Sequence, residues 1–344
     1  MDIWARRSNA EREELFREAA NSKQVHFQII EKDFWVCWTL KRLFNISAFG
    51  QHLIFKGGTS LSKGYRLIER FSEDIDVAID RSFLNFGNEA ELASLSSNKR
   101  QEWIKNLDEA CKKFVQTDVI SSLQTSLQQE ITDSSNDWRL LVAEDDSYGQ
   151  TLLFEYPRNS DNVIGNELDY IKPFVRIEMG ARPTNEPIET LPIQSYASEE
   201  YPSAFSDPTF SLAVLSGERT FWEKATILHE QFHRADNYKS AERLSRHYYD
   251  LFILAKSDLA EKALADRGLL ERVVANKKLF FARAGANYDD ALVGQMRLVP
   301  SDSRVRAFKA DYEKMDIMFF NTPPKFGDII STLKKLEDTI NLSA

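Results

Sequence analysis

The stretch from 53 to 80, LIFKGGTSLSKGYRLIERFSEDIDVAID, most constrains what this chain can fold into. A short apolar run, Leu53-Ile54-Phe55, breaks at Gly57-Gly58. Helical character resumes over Ser60 to Glu69, and the stretch closes in a strictly alternating strand. Strand side chains alternate between faces, so Ile75, Val77 and Ile79 share one face and Asp74, Asp76, Ala78 and Asp80 the other. Asp74 and Asp76 therefore point the same way, roughly 7 Å apart along the strand. Two carboxylates on one strand face, beside a glycine turn that leads into a helix, suit a divalent metal and a nucleoside triphosphate.

The pieces are weak singly. A lone Gly-Gly is usually a plain turn, and Asp74 and Asp76 alone read as the wet face of an edge strand. Together they are much more specific. Asp80 sits at the strand end and is read as solvated. A second alternating segment, FVRIEMG, puts Val175, Ile177 and Met179 on one face and Arg176 and Glu178 on the other. Glu178 is thus a candidate third carboxylate, against the bland alternative of a solvated strand residue.

Around this stretch the chain divides in character. Ser8 and Glu11 form a capping box for a helix over about 9–20. A second helix is expected over 25–44, with Phe27, Ile30, Phe34 and Trp38 on its stripe. Glu31-Lys32-Asp33 interrupt it, either as a solvated turn or with one of them lining a cleft. Helices are expected over 89–131, then a hairpin of Trp138–Ala143 and Thr151–Tyr156. Residues 181–210 concentrate prolines and read as a loop or linker. Beyond them the pattern is helical: 220–233, 240–256, 260–281, 302–319 and 325–340. The expectation is an α+β chain. A mixed-sheet domain spans 1–200, and an all-helical half spans 201–344.

With 344 residues the chain has length for a sizeable core. A net charge of −9 argues against indiscriminate nucleic-acid coating but leaves room for a local basic cleft. Cys37 and Cys111 lack disulfide or zinc spacing, so a reducing cytoplasm is the expected compartment. No apolar run reaches membrane-spanning length, and no membrane partner is expected. His229 and His233 stand four apart on a helix, but HEQFH lacks the HExxH order and a third ligand. Two residues of the helical half stand out. Lys224 in ERTFWEKATILHE is either solvent-facing or a phosphate-neutralising cation at the mouth of the carboxylate site. Asp250 in RHYYDLFILA borders an apolar run, which fits a cleft or buried-pair role, with Arg246 and Lys224 as expected partners.

Taken together, FKGGTSLSKGYRLIERFSEDIDVAI, VRIEMGAR, ERTFWEKATILH and RHYYDLFIL resemble the AbiEii/AbiGii-type nucleotidyltransferase toxins, a branch of the polymerase-β-like nucleotidyltransferase superfamily. The resemblance spans about residues 27–255. It implies a Mg²⁺-dependent enzyme of a bacterial toxin–antitoxin or phage-defence system. Such an enzyme transfers NMP from an NTP to an acceptor, above all the 3′ end of tRNA, and has a cognate antitoxin as a further partner. It implies that Gly57, Gly58 and Ser60 cradle phosphates, and that Ser72 precedes the metal-binding Asp74 and Asp76. Lys224 would contact the triphosphate, and Asp250 would orient it or act as a base. Glu178 as a third metal ligand comes from strand alternation alone. Two other classes remain open on the residues: a metal-dependent nuclease using Asp74, Asp76 and Glu178, and a non-catalytic nucleotide sensor.

Overall fold

The computed structural model describes residues 1–344 except 88, 133–136, 159–170, 235–241, 284 and 343–344. They form two compact units. One comprises residues 1–64 and 71–214, the other 65–70 and 215–344.

The first unit is built on a mixed sheet of seven strands: β1 Leu53–Lys56, β2 Asp74–Ile79, β3 Arg139–Val142, β4 Thr151–Glu155, β5 Val175–Gly180, β6 Ile188–Gln194 and β7 Thr209–Leu215. Their spatial order is β3-β4-β5-β2-β1-β7-β6. β2 runs antiparallel to β1 and parallel to β5. The apolar side of β2, Ile75, Val77 and Ile79, is buried, as are Val175, Ile177, Leu152 and Phe154 beside it. The expected hairpin is present as β3 and β4. Residues 181–210 are not a plain linker, since they hold β6 and the short helix Tyr196–Glu200. Pro192 is compatible with β6 because that strand lies at the sheet edge, where a missing N–H costs no ladder bond.

The capping box is formed. Ser8 Oγ accepts from Glu11 N, and the Glu11 side chain accepts from Ser8 N, at the head of the helix Asn9–Lys23. The next helix, Phe27–Phe44, is buried nearly all round. Its Trp35 meets Phe154 edge-on at 5.9 Å and stacks on Tyr156 at 5.8 Å. Glu31-Lys32-Asp33 do not make a solvated turn. They lie inside this helix, and Lys32 and Asp33 are buried. The helix after the glycine pair is Gly57–Lys63, shorter than expected. Residues 65–70 leave it non-helical, with Arg66 at a positive φ of 54°, and belong to the second unit.

That second unit is helical: Gly217–His233, Ser245–Ala255, Asp258–Ala265, Arg267–Phe280, Val305–Glu313 and Phe326–Leu342. Ser216 caps the first by accepting from Arg219 N at 3.2 Å. The expected stripe Ile329, Leu333, Leu336, Ile340 is buried. Of the helix expected over 240–256, Ser240 and Ala241 lie outside the described residues. Among the described residues no helix is long and apolar enough to cross a membrane.

Burial pushes the Glu31 carboxyl up to about 7. In the unfolded chain it titrates near 4.3. Between those values the folded state holds a proton that the unfolded state has released. This contribution is therefore present at low pH and lost as pH rises through 7. Glu31→Gln is expected to gain on the order of 1–3 kcal/mol over the native protein at pH 8 and about nothing at pH 4, measured by urea unfolding.

Candidate active site

The register of the sheet assembles a charged face. Lys56 pairs with Asp76 across β1 and β2, while Asp74 pairs with Arg176 and Asp76 with Glu178 across β2 and β5. Residues level on adjacent strands point to the same side, so Lys56, Asp74, Asp76, Arg176 and Glu178 share one face. Both aspartates are half-buried. Glu178 accepts from Arg176 Nε at 2.8 Å, and Arg176 Nη1 reaches Asp145 at 3.0 Å. Glu178 is thus level with Asp76 but engaged by an arginine. Among the described residues no three His, Cys, Asp or Glu side chains converge as a metal cluster. Two carboxylates on one face still fit Mg²⁺, which takes one or two protein carboxylates and fills the rest with phosphate oxygens and water.

The glycine turn is built against this pair. Gly57 has a φ of +80°, and a Cβ there would collide with the Asp76 carboxylate. The close approach that requires glycine is therefore to Asp76 itself. The hydroxyls beyond it are committed to shape. Ser60 Oγ donates to Gly57 O at 2.9 Å and is fully buried. Thr59 Oγ1 donates to Asp74 O at 2.5 Å and lies 3.0 Å from Ser72 Oγ. Thr59 and Ser72 thus stitch the glycine helix to the start of β2, and Ser60, expected like Ser72 to meet nucleotide, bonds back within its own helix.

Beneath the site lie charges that the sequence reading did not assign to it. Lys32 Nζ donates to Glu73 at 2.6 Å, with both side chains almost wholly buried. Asp33 forms a buried ion pair with Lys63 and accepts from Tyr196 N at 2.6 Å. The Lys63 ammonium also lies 3.1 Å from the centre of the Tyr196 ring. Burial pushes the Asp33 carboxyl up to about 6 even against the pull of Lys63. Consecutive residues of one helix thus grip Glu73, just before Asp74, and Lys63, the last residue of the glycine helix. A signal was available. A helix apolar on all sides is buried, and a charge inside it must be paired.

In the second unit Asp250 is fully buried and makes a two-point bond to Arg70, Oδ1 to Nε and Oδ2 to Nη2, each 2.8 Å. Lys224 Nζ donates to Asp250 Oδ2 at 2.7 Å and lies 3.1 Å from His247 Nδ1. Burial alone would raise the Asp250 carboxyl, but Arg70 and Lys224 outweigh it and hold it well below the usual range. Burial, with Arg70 and Arg246 nearby, lowers the Lys224 ammonium. Burial and Lys224 hold His247 neutral at physiological pH. Of the partners expected for Asp250, Lys224 bonds to it directly. Arg70, distant in sequence, had no local signal. His229 is used up structurally: Nδ1 accepts from Arg297 N at 3.1 Å, and Nε2 lies 3.0 Å from Asn287 O.

A mixed sheet carrying paired carboxylates beside a glycine turn belongs to a class of nucleotidyltransferases, and the sequence places the chain within it. Residues 38–336 match the family described as "Nucleotidyl transferase AbiEii toxin, Type IV TA system". The chain belongs to that family of nucleotidyltransferase toxins. No curated protein matches it in sequence. Among solved structures it is similar to MenT4, the nucleotidyltransferase toxin Rv2826c of Mycobacterium tuberculosis H37Rv, with 15% identity over 95% of this chain and 97% of that one and a TM-score of 0.45. It is also similar to JHP933 of Helicobacter pylori, with 15% identity over 93% of this chain and 99% of that one and a TM-score of 0.34.

Two substitutions test this geometry. Gly57→Ala must relax a positive φ, at about 1–2 kcal/mol, and displace the Asp76 carboxylate. Nucleotide transfer is expected to fall about a hundredfold, with the unfolding midpoint lowered only modestly. Asp250→Ala leaves Arg70 and Lys224 buried without their shared anion and is expected to cost about 3–5 kcal/mol in chemical denaturation.

Proposed function

We propose that the protein transfers the nucleoside monophosphate of an NTP to an acceptor hydroxyl, most directly the 3′ end of a tRNA, with Mg²⁺ as cofactor. The observation that carries this reading is Asp74 and Asp76 on one strand face with the Gly57 backbone seated against Asp76. Asp74 and Asp76 would hold the ion, with Glu178 able to join on leaving Arg176. When bound, Mg²⁺ supplies charge neutralisation on the triphosphate. Gly57 and Gly58 offer the turn that faces the phosphates, while Ser60, Ser72 and Thr59 keep its shape. Lys224 is assigned to the triphosphate. Asp250 is assigned to orienting Lys224 rather than to proton abstraction, because a carboxylate held so low by two cations is a poor base. The acceptor hydroxyl attacks the α-phosphorus in line and gives up its proton to water, the bond from phosphorus to the bridging oxygen breaks, and pyrophosphate leaves. A cognate antitoxin and a cytoplasmic setting complete the reading.

The test is incubation of the protein with each α-labelled NTP, Mg²⁺ and total cellular RNA and protein. Label is expected in tRNA-sized RNA, and both Asp76→Asn and removal of divalent cation should abolish it without lowering the unfolding midpoint. Shortened RNA without NTP would instead identify a nuclease. Full labelling by the Asp76→Asn variant would sink the assignment.

A further inference from the structure

The first unit carries a cavity of about 590 Å³ that none of the residues above explains. It is lined by Trp138, Arg139, Glu155, Tyr156, Arg158 and Phe174 among others. Its volume is in the range of small-ligand sites. Tyr156 is buried and held by its stack on Trp35, so it forms a fixed wall. Trp138 and Phe174 are only half-buried and retain ring surface. Arg139 and Glu155 bridge at the rim at 3.0 Å. Flat ring surface beside guanidinium groups is the chemistry that holds an unpaired nucleotide: the base stacks, and the phosphate meets a cation.

The position of the cavity within the sheet selects which nucleotide. In the order β4-β5-β2-β1, the cavity residues flank β4 and the start of β5, while the glycine turn follows β1 on the far side of β2. The register carries Asp74 to Arg176 to Leu153, so Glu155 and its partner Arg139 lie on the carboxylate face, while Trp138 and Tyr156, one residue away, turn to the opposite side against Phe154 and Trp35, and the cavity therefore lies at the end of the sheet. Glu155 lies toward the end where β2 and β5 begin, about two strand spacings, or roughly 10 Å, from β2, and Arg139 lies one strand further out. The cavity is also tied to the site chemically. The Phe174 ring lies 5.6 Å from Lys32 Nζ, which bonds Glu73 next to Asp74. In-line displacement needs the nucleophile and the leaving pyrophosphate on opposite sides of the reacting phosphorus. With the leaving group on the glycine side, the attacking hydroxyl comes from the β5–β4 side.

We propose that the cavity between Trp138 and Phe174 receives an unpaired nucleotide of the acceptor strand, its base stacked on Trp138 and its phosphate on Arg158. This rests on the transferase reading above. The probes are a fluorescein-labelled ten-nucleotide single-stranded RNA and the same sequence as DNA. Each is titrated onto the full-length protein at several salt concentrations, with ATP, CTP, GTP and UTP binding measured alongside by calorimetry. Trp138→Ala is expected to weaken the tighter-bound oligonucleotide roughly ten- to hundredfold while leaving triphosphate affinity unchanged. Trp138→Leu, which keeps apolar bulk without a ring face, should do the same and guards against a folding defect. Arg158→Gln should reduce the slope of log affinity against log salt by about 0.7, one phosphate contact on a single strand, which a merely structural arginine would not do. Oligonucleotide affinity unchanged in both Trp138 variants, or lost triphosphate affinity in its place, overturns the proposal. If the native protein transfers no nucleotide yet oligonucleotide binding still depends on Trp138 and Arg158, the cavity assignment stands and the transferase reading falls.

Discussion

Two consecutive charges in one buried helix hold the candidate site in place. Lys32 and Asp33 are buried between the apolar runs Ile29-Ile30 and Phe34-Trp35-Val36, and neither has water to solvate it. Each must find an opposite charge, because an unpaired buried ion costs several kcal/mol. The partners they take are Glu73 and Lys63. These residues bound the two elements that form the site, the glycine helix and the carboxylate strand. The pairs offer little net stability over an apolar filling. Their effect is positional. Sliding β2 or the glycine helix relative to Phe27–Phe44 would strand an ion.

The same economy governs the turn itself. Asp76 needs a neighbour without a side chain, and Gly57 supplies one in a conformation other residues adopt only at a cost. The hydroxyls of Thr59, Ser60 and Ser72 are all turned inward to hydrogen bonds that close the corner. In the second unit, a carboxylate with no exposure holds two cations. There one carboxylate faces two cations, which leaves a net positive charge around Lys224.

Much of this was legible from period and spacing. Strand alternation placed Asp74 and Asp76 on one face, because a pleated strand has no other option. The apolar stripe of the last helix predicted its buried side. Proline content misled over 181–210, because an edge strand tolerates Pro192. Glu31-Lys32-Asp33 looked solvated because charges usually are. The apolar runs on either side, Ile29-Ile30 and Phe34-Trp35-Val36, were the stronger signal. Helical character past Lys63 yielded to a long-range demand: Arg70 must meet Asp250 and pair with Phe319, which a continuing helix would prevent.

By itself the sequence determined the stretch that carries the candidate site and the family to which the chain belongs. It did so through local rules, because strand pleat, glycine tolerance and helix period act over a few residues. Only the tertiary structure decided that Glu178 lies level with Asp76 yet is held by Arg176. The same is true of Arg70 as the anchor of Asp250, and of the Trp138 and Phe174 rings framing one cavity. Those facts depend on strand register and on pairings between residues distant in the chain. No local pattern encodes them, because they are settled by which buried charges and apolar faces satisfy one another at once.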